Sequence, residues 1–477
     1  MLTLVYMRTG LAALVAGSLL ALIACSSSGD GSDVAVAPVD SPQAPGAGAD
    51  AGSAETSTHV PATPPDADAS APGCASGTLD TSFGVREIRG SLPNTQVTLP
   101  PVGEVETALQ ADGKMLVLVH PSAPTPDAVL ERFELSKTPV LDPSFGTAGA
   151  VHLPPSSRQV KLQPDGTIFV LEATFVGTGA QAQLHAFVHR LLPSGAADTT
   201  YGTQGIVDFP LTGNLLGYTV AADGRVFIAV ASPNGALLQT ATVTRLTAAG
   251  AVDPTFGTGG QSVPVRIANQ VAAGPTVLLL PEPSGAVVAI QPRGPIRLEA
   301  SGARDTTWGS QNQNVEGLLP AYHDATRLTD GSILVQGGLF MDYAKGQLGL
   351  FTSSGTPKTS FGNAGVMPFA SLPAAVRPTS VLGTKALPGG GALVIGHRYL
   401  YGATVANDKT EVVVLKLRAD GTVDATFGNG GVFTQDFNEG QTGRVVAADE
   451  DAIGGLVLTV DPSTSFRTKL AVLRVCK

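Results

Sequence analysis

A carboxylate recurs along this chain with a basic residue at a set distance before it. Arg190 precedes Asp198 by eight residues, and the pairs Arg245 and Asp253, Arg297 and Asp305, and Lys416 and Asp424 keep that interval, while Arg132 precedes Asp142 by ten. Repeated carboxylates could ligate a cation such as calcium, yet each unit supplies one acid where a hard ion takes six or more oxygens. One copy weighs against that reading, because it carries Leu350 at the basic position and Lys358 at the acidic one, so both partners vanish together. Losing one member of a buried pair strands a charge, whereas losing both can be neutral. The recurring residues therefore read as an ion pair inside each unit.

Other reactive residue types lie outside this pattern. His185, Phe187 and His189 alternate on one face of a strand pattern. Two imidazoles four residues apart on a strand stand about 13 Å from each other, too far to share one ion, and they read as ordinary exposed histidines. Glu104, Glu106, Asp342, Asp436 and Glu439 are acids that no other unit repeats. Two of them meeting at one mouth could work as an acid and base pair; linear spacing leaves that open beside the reading as solvated loop carboxylates. The glycine clusters at Gly389-Gly390-Gly391 and Gly454-Gly455 lack the helix pattern and Lys-Ser/Thr of a phosphate loop. No catalytic residue, metal ligand or cofactor site is assigned on this reading.

The elements that must position these residues are repeats. The pattern Gly-x-x-Asp-x-Ser/Thr-aromatic-Gly occurs seven times, with its aromatic at Phe83, Phe145, Tyr201, Phe256, Trp308, Phe361 and Phe427, and with Pro139 and Lys358 as departures at the Gly and Asp positions. Successive aromatics are 62, 56, 55, 52, 53 and 66 residues apart. A second glycine follows four residues past most of the aromatics, at Gly149, Gly205, Gly260, Gly365 and Gly431, with Asn312 and Glu87 in the other two described by this spacing. Hairpin signals such as Asp112-Gly113, Asp165-Gly166, Asp223-Gly224 and Asp330-Gly331 sit between apolar runs. Four strand signals per unit and seven units predict an all-β fold, a seven-bladed propeller of four-stranded antiparallel blades.

Ahead of the repeats, Arg8 is followed by an apolar run from Leu11 to Ile23 and then by Leu22-Ile23-Ala24-Cys25. The run is short for a membrane span. It resembles the signal and lipobox of bacterial lipoproteins, which implies cleavage after residue 24, lipidation of Cys25 and, with Ser26 next, an outer-membrane address. Residues 26–73 contain no Phe, Tyr, Trp, Lys or Arg, a composition that predicts a disordered tether. Domains are therefore expected at 1–24, 25–73 and 74–477. Of the formal charge of −10, Arg8 in the leading segment gives +1, the tether holds −7 and residues 74–477 carry −4, which offers no footprint for nucleic acid. The expected attachment is to membrane through the lipid.

Phe83's signature lacks the strand that should precede it, and Leu470 to Val475 ends the chain without a signature after it. Laying one over the other makes Arg474 the partner of Asp80 and puts Cys74 and Cys476 at one repeat position. With Cys25 lipidated these are the remaining cysteines, and in an oxidising compartment they predict a disulfide that closes the ring between its N- and C-terminal segments.

The run Asp253-Pro254-Thr255-Phe256-Gly257-Thr258-Gly259-Gly260, with Asp223-Gly224 and Arg245 before it, resembles the delta-60 repeats of exported bacterial proteins. That likeness covers residues 77–475 and implies a propeller without implying an activity. The function expected is a non-catalytic, envelope-tethered and monomeric module binding protein or glycan; the alternative is a propeller enzyme of glycoside hydrolase or polysaccharide lyase type.

Overall fold

The computed structural model describes residues 74–89, 106–119, 127–231, 240–266, 277–291, 294–309, 322–339, 342–372, 377–378, 380–387, 390–400, 409–436, 444–451, 455–461 and 469–477. Cys25, the tether, Glu104, Asn312 and Glu439 lie outside these residues. The repeats form seven small antiparallel sheets in a ring, a seven-bladed β-propeller.

Blade two shows the common plan: Ser157–Leu162 innermost, then Ile168–Val176, Gln183–Leu191 and Ile206–Pro210 outermost, each hydrogen-bonded to the next. Blades three, five and six follow it, from Leu215–Val220, Tyr322–Arg327 and Ser380–Ala386 outward. Two blades depart from the expected four strands. In blade one, Val140–Leu141 and Ala150–Leu153 both pair with Ala128–Glu134, giving five strands; blade four has three among the described residues, Leu278–Pro281, Val287–Gln291 and Gly294–Leu298.

Blade seven is built from both ends of the repeat region. Arg444–Glu450, Leu456–Asp461 and Lys469–Val475 supply its inner strands, and Val85–Arg89 adds the outermost, with Val85 opposite Leu473 and Arg89 opposite Lys469. Cys476 N–H donates to Thr78 O at 3.0 Å and Gly77 N–H to Cys476 O at 2.7 Å. These bonds match Leu192 N–H to Ala196 O and Gly195 N–H to Leu192 O in blade two, so the interrupted turn keeps the shape of an unbroken one. A disulfide joins Cys74 to Cys476 across the break, with the Cα atoms 5.8 Å apart.

Apolar side chains on both faces of the blades fill the spaces between them, which is why the middle strands read as nearly continuous Val, Leu, Ile and Ala. Val226–Ala231 is buried along its whole length. Phe169, Leu171, Val188 and Tyr201 of blade two form one core with Tyr218, Val226 and Ile228 of blade three. In blades two, three, five, six and seven the innermost strand bulges at the same repeat position, with Arg158, Leu216, His323, Leu382 and Val446 as the extra residue. A bulge of this kind twists the strand and re-aims the side chains beside it.

Candidate functional site

The repeated charges sit where each signature meets the next blade. In blade three, Thr255 N–H and Oγ1 donate to Asp253 Oδ1 at 3.0 and 2.6 Å, fixing the carboxylate, and Arg245 Nε donates to Oδ2 at 2.8 Å. The guanidinium carbon lies 4.6 Å from the Phe256 ring centroid. Its Nη1 donates to Ala300 O of blade four at 2.9 Å. Arg132 and Arg190 reach Pro193 O and Ala248 O of their next blades in the same way, at 2.6 and 2.5 Å.

The remaining expected pairs are also adjacent: Arg132 to Asp142 at 2.7 Å, Arg190 to Asp198 at 2.7 Å, Arg297 to Asp305 at 2.9 Å, Arg474 to Asp80 at 3.0 Å and Lys416 to Asp424 at 3.6 Å. In the copy that lacks the pair, Leu350 is buried and Lys358 turns to Asp330 at 3.3 Å. Burial pushes the Asp253 carboxyl up, yet hydrogen bonds from Thr255 and Arg245 outweigh it and hold it below the usual carboxylate range. For Asp80, Asp198, Asp305 and Asp424 the neighbouring Ser82, Thr200, Thr307 and Thr426 hydroxyls are the leading cause of the same lowering. Each carboxylate is thus held within its own signature, and in blades one to three the arginine also donates to the next blade.

The signature's leading glycine belongs to the same joint. A Cβ on Gly195 would stand 2.9 Å from Phe145 Cε2, and one on Gly250 would stand 3.0 Å from Tyr201 Cε2. Gly195, Gly250, Gly355 and Gly421 thus lie against the aromatic ring of the preceding blade, whereas Gly302 and Gly77 meet the backbone at the glycine that follows it. The amide of the glycine after that aromatic donates into the same turn: Gly146 to Ser194 O, Gly202 to Ala249 O, Gly257 to Ser301 O, Gly309 to Ser354 O and Gly428 to Ser76 O, all within 2.6–3.0 Å.

Unrepeated charge gathers instead on the innermost strands. Glu106 of blade one, Asp449 of blade seven, Lys161 of blade two and Lys385 of blade six act on one another electrostatically. Burial pushes the Glu106 carboxyl up, with Lys161 opposing and Asp449 adding to the shift. Burial likewise raises Asp449, with Lys385 opposing. The Leu109 amide also opposes the rise, and Asp449 Oδ2 is buried without a hydrogen-bond partner. The innermost strands of four neighbouring blades therefore carry two carboxylates and two amines within electrostatic reach: Glu106 feels Lys161 and Asp449, and Asp449 feels Lys385 and Lys161.

Of Glu106, Asp342 and Asp436, the singled-out acids among the described residues, Glu106 is the one found in this cluster. Asp436 ends the outermost strand of blade six opposite Glu411, and Asp342 begins the third strand of blade five. The histidines differ from the expectation of exposure. His189 is buried, with Nε2 3.0 Å from Glu172 Oε2, and His185 Nδ1 lies 2.6 Å from Asp208 Oδ1. Buried imidazoles need partners, and each has a carboxylate. Trp308 fills the signature's aromatic slot, with Nε1 donating to Ser353 O at 2.8 Å. Among the described residues no group of three or more His, Cys, Asp or Glu is placed to hold a metal ion, and no helix is long and apolar enough to cross a membrane.

A family model described as a beta-propeller domain of unknown function (DUF5122) matches residues 398–427, which carry Lys416, Asp424 and Phe427. The structure is similar to that of a puromycin hydrolase, at 14% identity and TM-score 0.40 over 78% of this chain and 52% of that one. It is also similar to the polysaccharide lyase Uly1, at 11% identity and TM-score 0.40 over 79% and 90% of the two chains. A glucose dehydrogenase matches at 14% identity and TM-score 0.36 over 80% and 99%. This chain spans about half the length of the hydrolase. No curated protein sequence matches it.

Proposed function

We propose that this protein is a monomeric, envelope-tethered binding propeller, held to the outer membrane by lipid on Cys25 and recognising a glycan at the ring axis. The observation that carries the reading is the cluster of Glu106, Asp449, Lys161 and Lys385. Half-buried carboxyls with raised pKa accept and donate hydrogen bonds, and lysine amines donate, a mixture suited to sugar hydroxyls. The unpartnered Asp449 Oδ2 is an acceptor that a bound hydroxyl would satisfy. The Arg–Asp cradles take no part, since their polar atoms are engaged within each signature and, in blades one to three, with the next blade.

A second reading has an observation of its own. Two carboxyls on adjacent blades, both raised by burial, are also the groups a glycoside hydrolase or polysaccharide lyase uses as acid and base. Glycan binding and turnover measured on Glu106→Gln and Asp449→Asn separate the two. The binding reading expects saturable retention of a glycan by the wild type, weakened at least tenfold in either variant, with no cleavage. Cleavage lost in Glu106→Gln would establish the enzyme; unchanged retention in both variants would remove the axis as the site.

A further inference from the structure

One joint in the ring lacks its occupant. In five others the aromatic and the amide after it receive a turn of the next blade: Pro193-Ser194-Gly195, Ala248-Ala249-Gly250, Ala300-Ser301-Gly302, Ser353-Ser354-Gly355 and Ala75-Ser76-Gly77. Each is two small residues followed by glycine; the sixth filled joint seats the glycine of Ala419-Asp420-Gly421 on Phe361 and carries an aspartate at the middle position. The glycine lies against the aromatic ring at Gly195, Gly250 and Gly355, and against the backbone after the aromatic at Gly302 and Gly77; an amide takes the second carbonyl, and in four joints an Arg or Trp donor also takes the first carbonyl, Arg132, Arg190, Arg245 or Trp308.

Between blades seven and one the corresponding turn is Ser136-Lys137-Thr138-Pro139, two residues longer and with proline in the glycine's place. It does not seat on Phe83. A cavity of about 460 Å³ opens there instead, lined by Phe83, Arg86, Lys114, Glu134, Leu135 and Ser136 among others. The Gly84 amide falls back on Asp80 O at 2.9 Å. Arg86 lies over the ring, its guanidinium carbon 3.5 Å from the Phe83 centroid. Other units hold Ala148, Gln204, Gly259, Gln311, Ala364 or Gly430 at that position, so this cover is peculiar to the seam.

We infer that the cavity between blades seven and one is a peptide-binding site for a turn of the form small–small–glycine presented by a second polypeptide. The glycine lies on Phe83 once Arg86 swings aside, and the freed guanidinium donates to the first carbonyl, as Arg132 and Arg190 do in their joints. The Gly84 amide takes the second carbonyl. A residue with a Cβ in the glycine's place is refused by the ring face, as it would be at Gly195 and Gly250.

The test uses the full chain and a capped, fluorescent peptide copying residues 245–253, Arg-Leu-Thr-Ala-Ala-Gly-Ala-Val-Asp, read by anisotropy. Saturable binding with a dissociation constant below about 1 mM is expected, with at least a tenfold loss when valine takes the place of the peptide's glycine. Phe83→Ala should abolish binding. So should a variant in which Lys137 and Thr138 are deleted and Pro139→Gly is introduced, which rebuilds the regular turn and fills the joint with the protein's own chain. Absence of saturable binding to the wild type, or equal binding to the rebuilt variant, would overturn the assignment.

Discussion

On its side facing blade six, blade seven is joined by a disulfide-closed turn whose Ser76 carbonyl accepts from Gly428; on its side facing blade one the turn stands off and Arg86 covers the bare aromatic. Both joints descend from the same signature. The difference lies in three places: the glycine at 77 against proline at 139, two extra residues in the turn, and glutamate at 87 where a tight turn needs glycine. Closure of a repeat ring therefore does not require every joint to be complete. It requires that the joint carrying the chain break be the stronger one.

The largest expected effect comes from weakening the complete side. Replacing Cys74 and Cys476 together by serine should lower unfolding free energy by about 2–5 kcal/mol, seen as an earlier denaturant midpoint. A change near zero would mean that the hydrogen bonds of the turn suffice. Next comes the cradle itself. Asp253→Ala should cost about 3 kcal/mol, because Asp253 is the one carboxylate paired with Arg245 among the described residues and its loss leaves the guanidinium buried. Asp80→Ala should cost less, about 1–2 kcal/mol, since Arg474 keeps Asp451 at 2.7 Å. Equal losses would show that the second acid does not share the charge.

The smallest effect is a pH dependence of two signs. The signature aspartates have pKa values lowered in the folded state. Their stabilisation is present above the unfolded value near 4 and is lost as pH falls toward the folded values. Glu106 and Asp449 are raised, so their contribution runs the other way: it is present at low pH and lost as pH rises through the folded values. Glu106→Gln with Asp449→Asn should therefore raise the thermal midpoint at pH 7 and leave the acid limb unchanged. A lower midpoint at pH 7 would show that the axis cluster stabilises the fold.

What repetition imposes was legible in the sequence. The ring, the seam and the adjacency of Arg245 to Asp253 follow from spacing alone, because each unit solves one packing problem with one set of residues. The cause of the leading glycine was not legible, since the aromatic that forbids its Cβ belongs to the preceding unit. Asp449, Lys161 and Lys385 were passed over for a different reason: a single charge on a short strand looks solvated until the ring brings four blades together. His189 was misjudged because its partner, Glu172, lies on the neighbouring strand. The shared bulge leaves no residue signature, as Arg158, Leu216 and Val446 have nothing in common.

The interrupted turn of blade seven also sets a timetable. Blades one to six pair strands made within a few tens of residues of each other, so each can assemble as soon as its own segment is made. Blade seven cannot, because its two halves are separated by most of the ring, with the cysteines 402 positions apart. Each doubling of a closed loop adds about 0.6 kcal/mol to the entropy of bringing its ends together, and late long-range pairing slows folding. Until Lys469–Val475 arrives, Val85–Arg89 is an unpaired strand and its cysteine an open thiol. Oxidation at that site is then expected to follow ring closure, and the thiol titre of refolding protein would count the rings not yet finished.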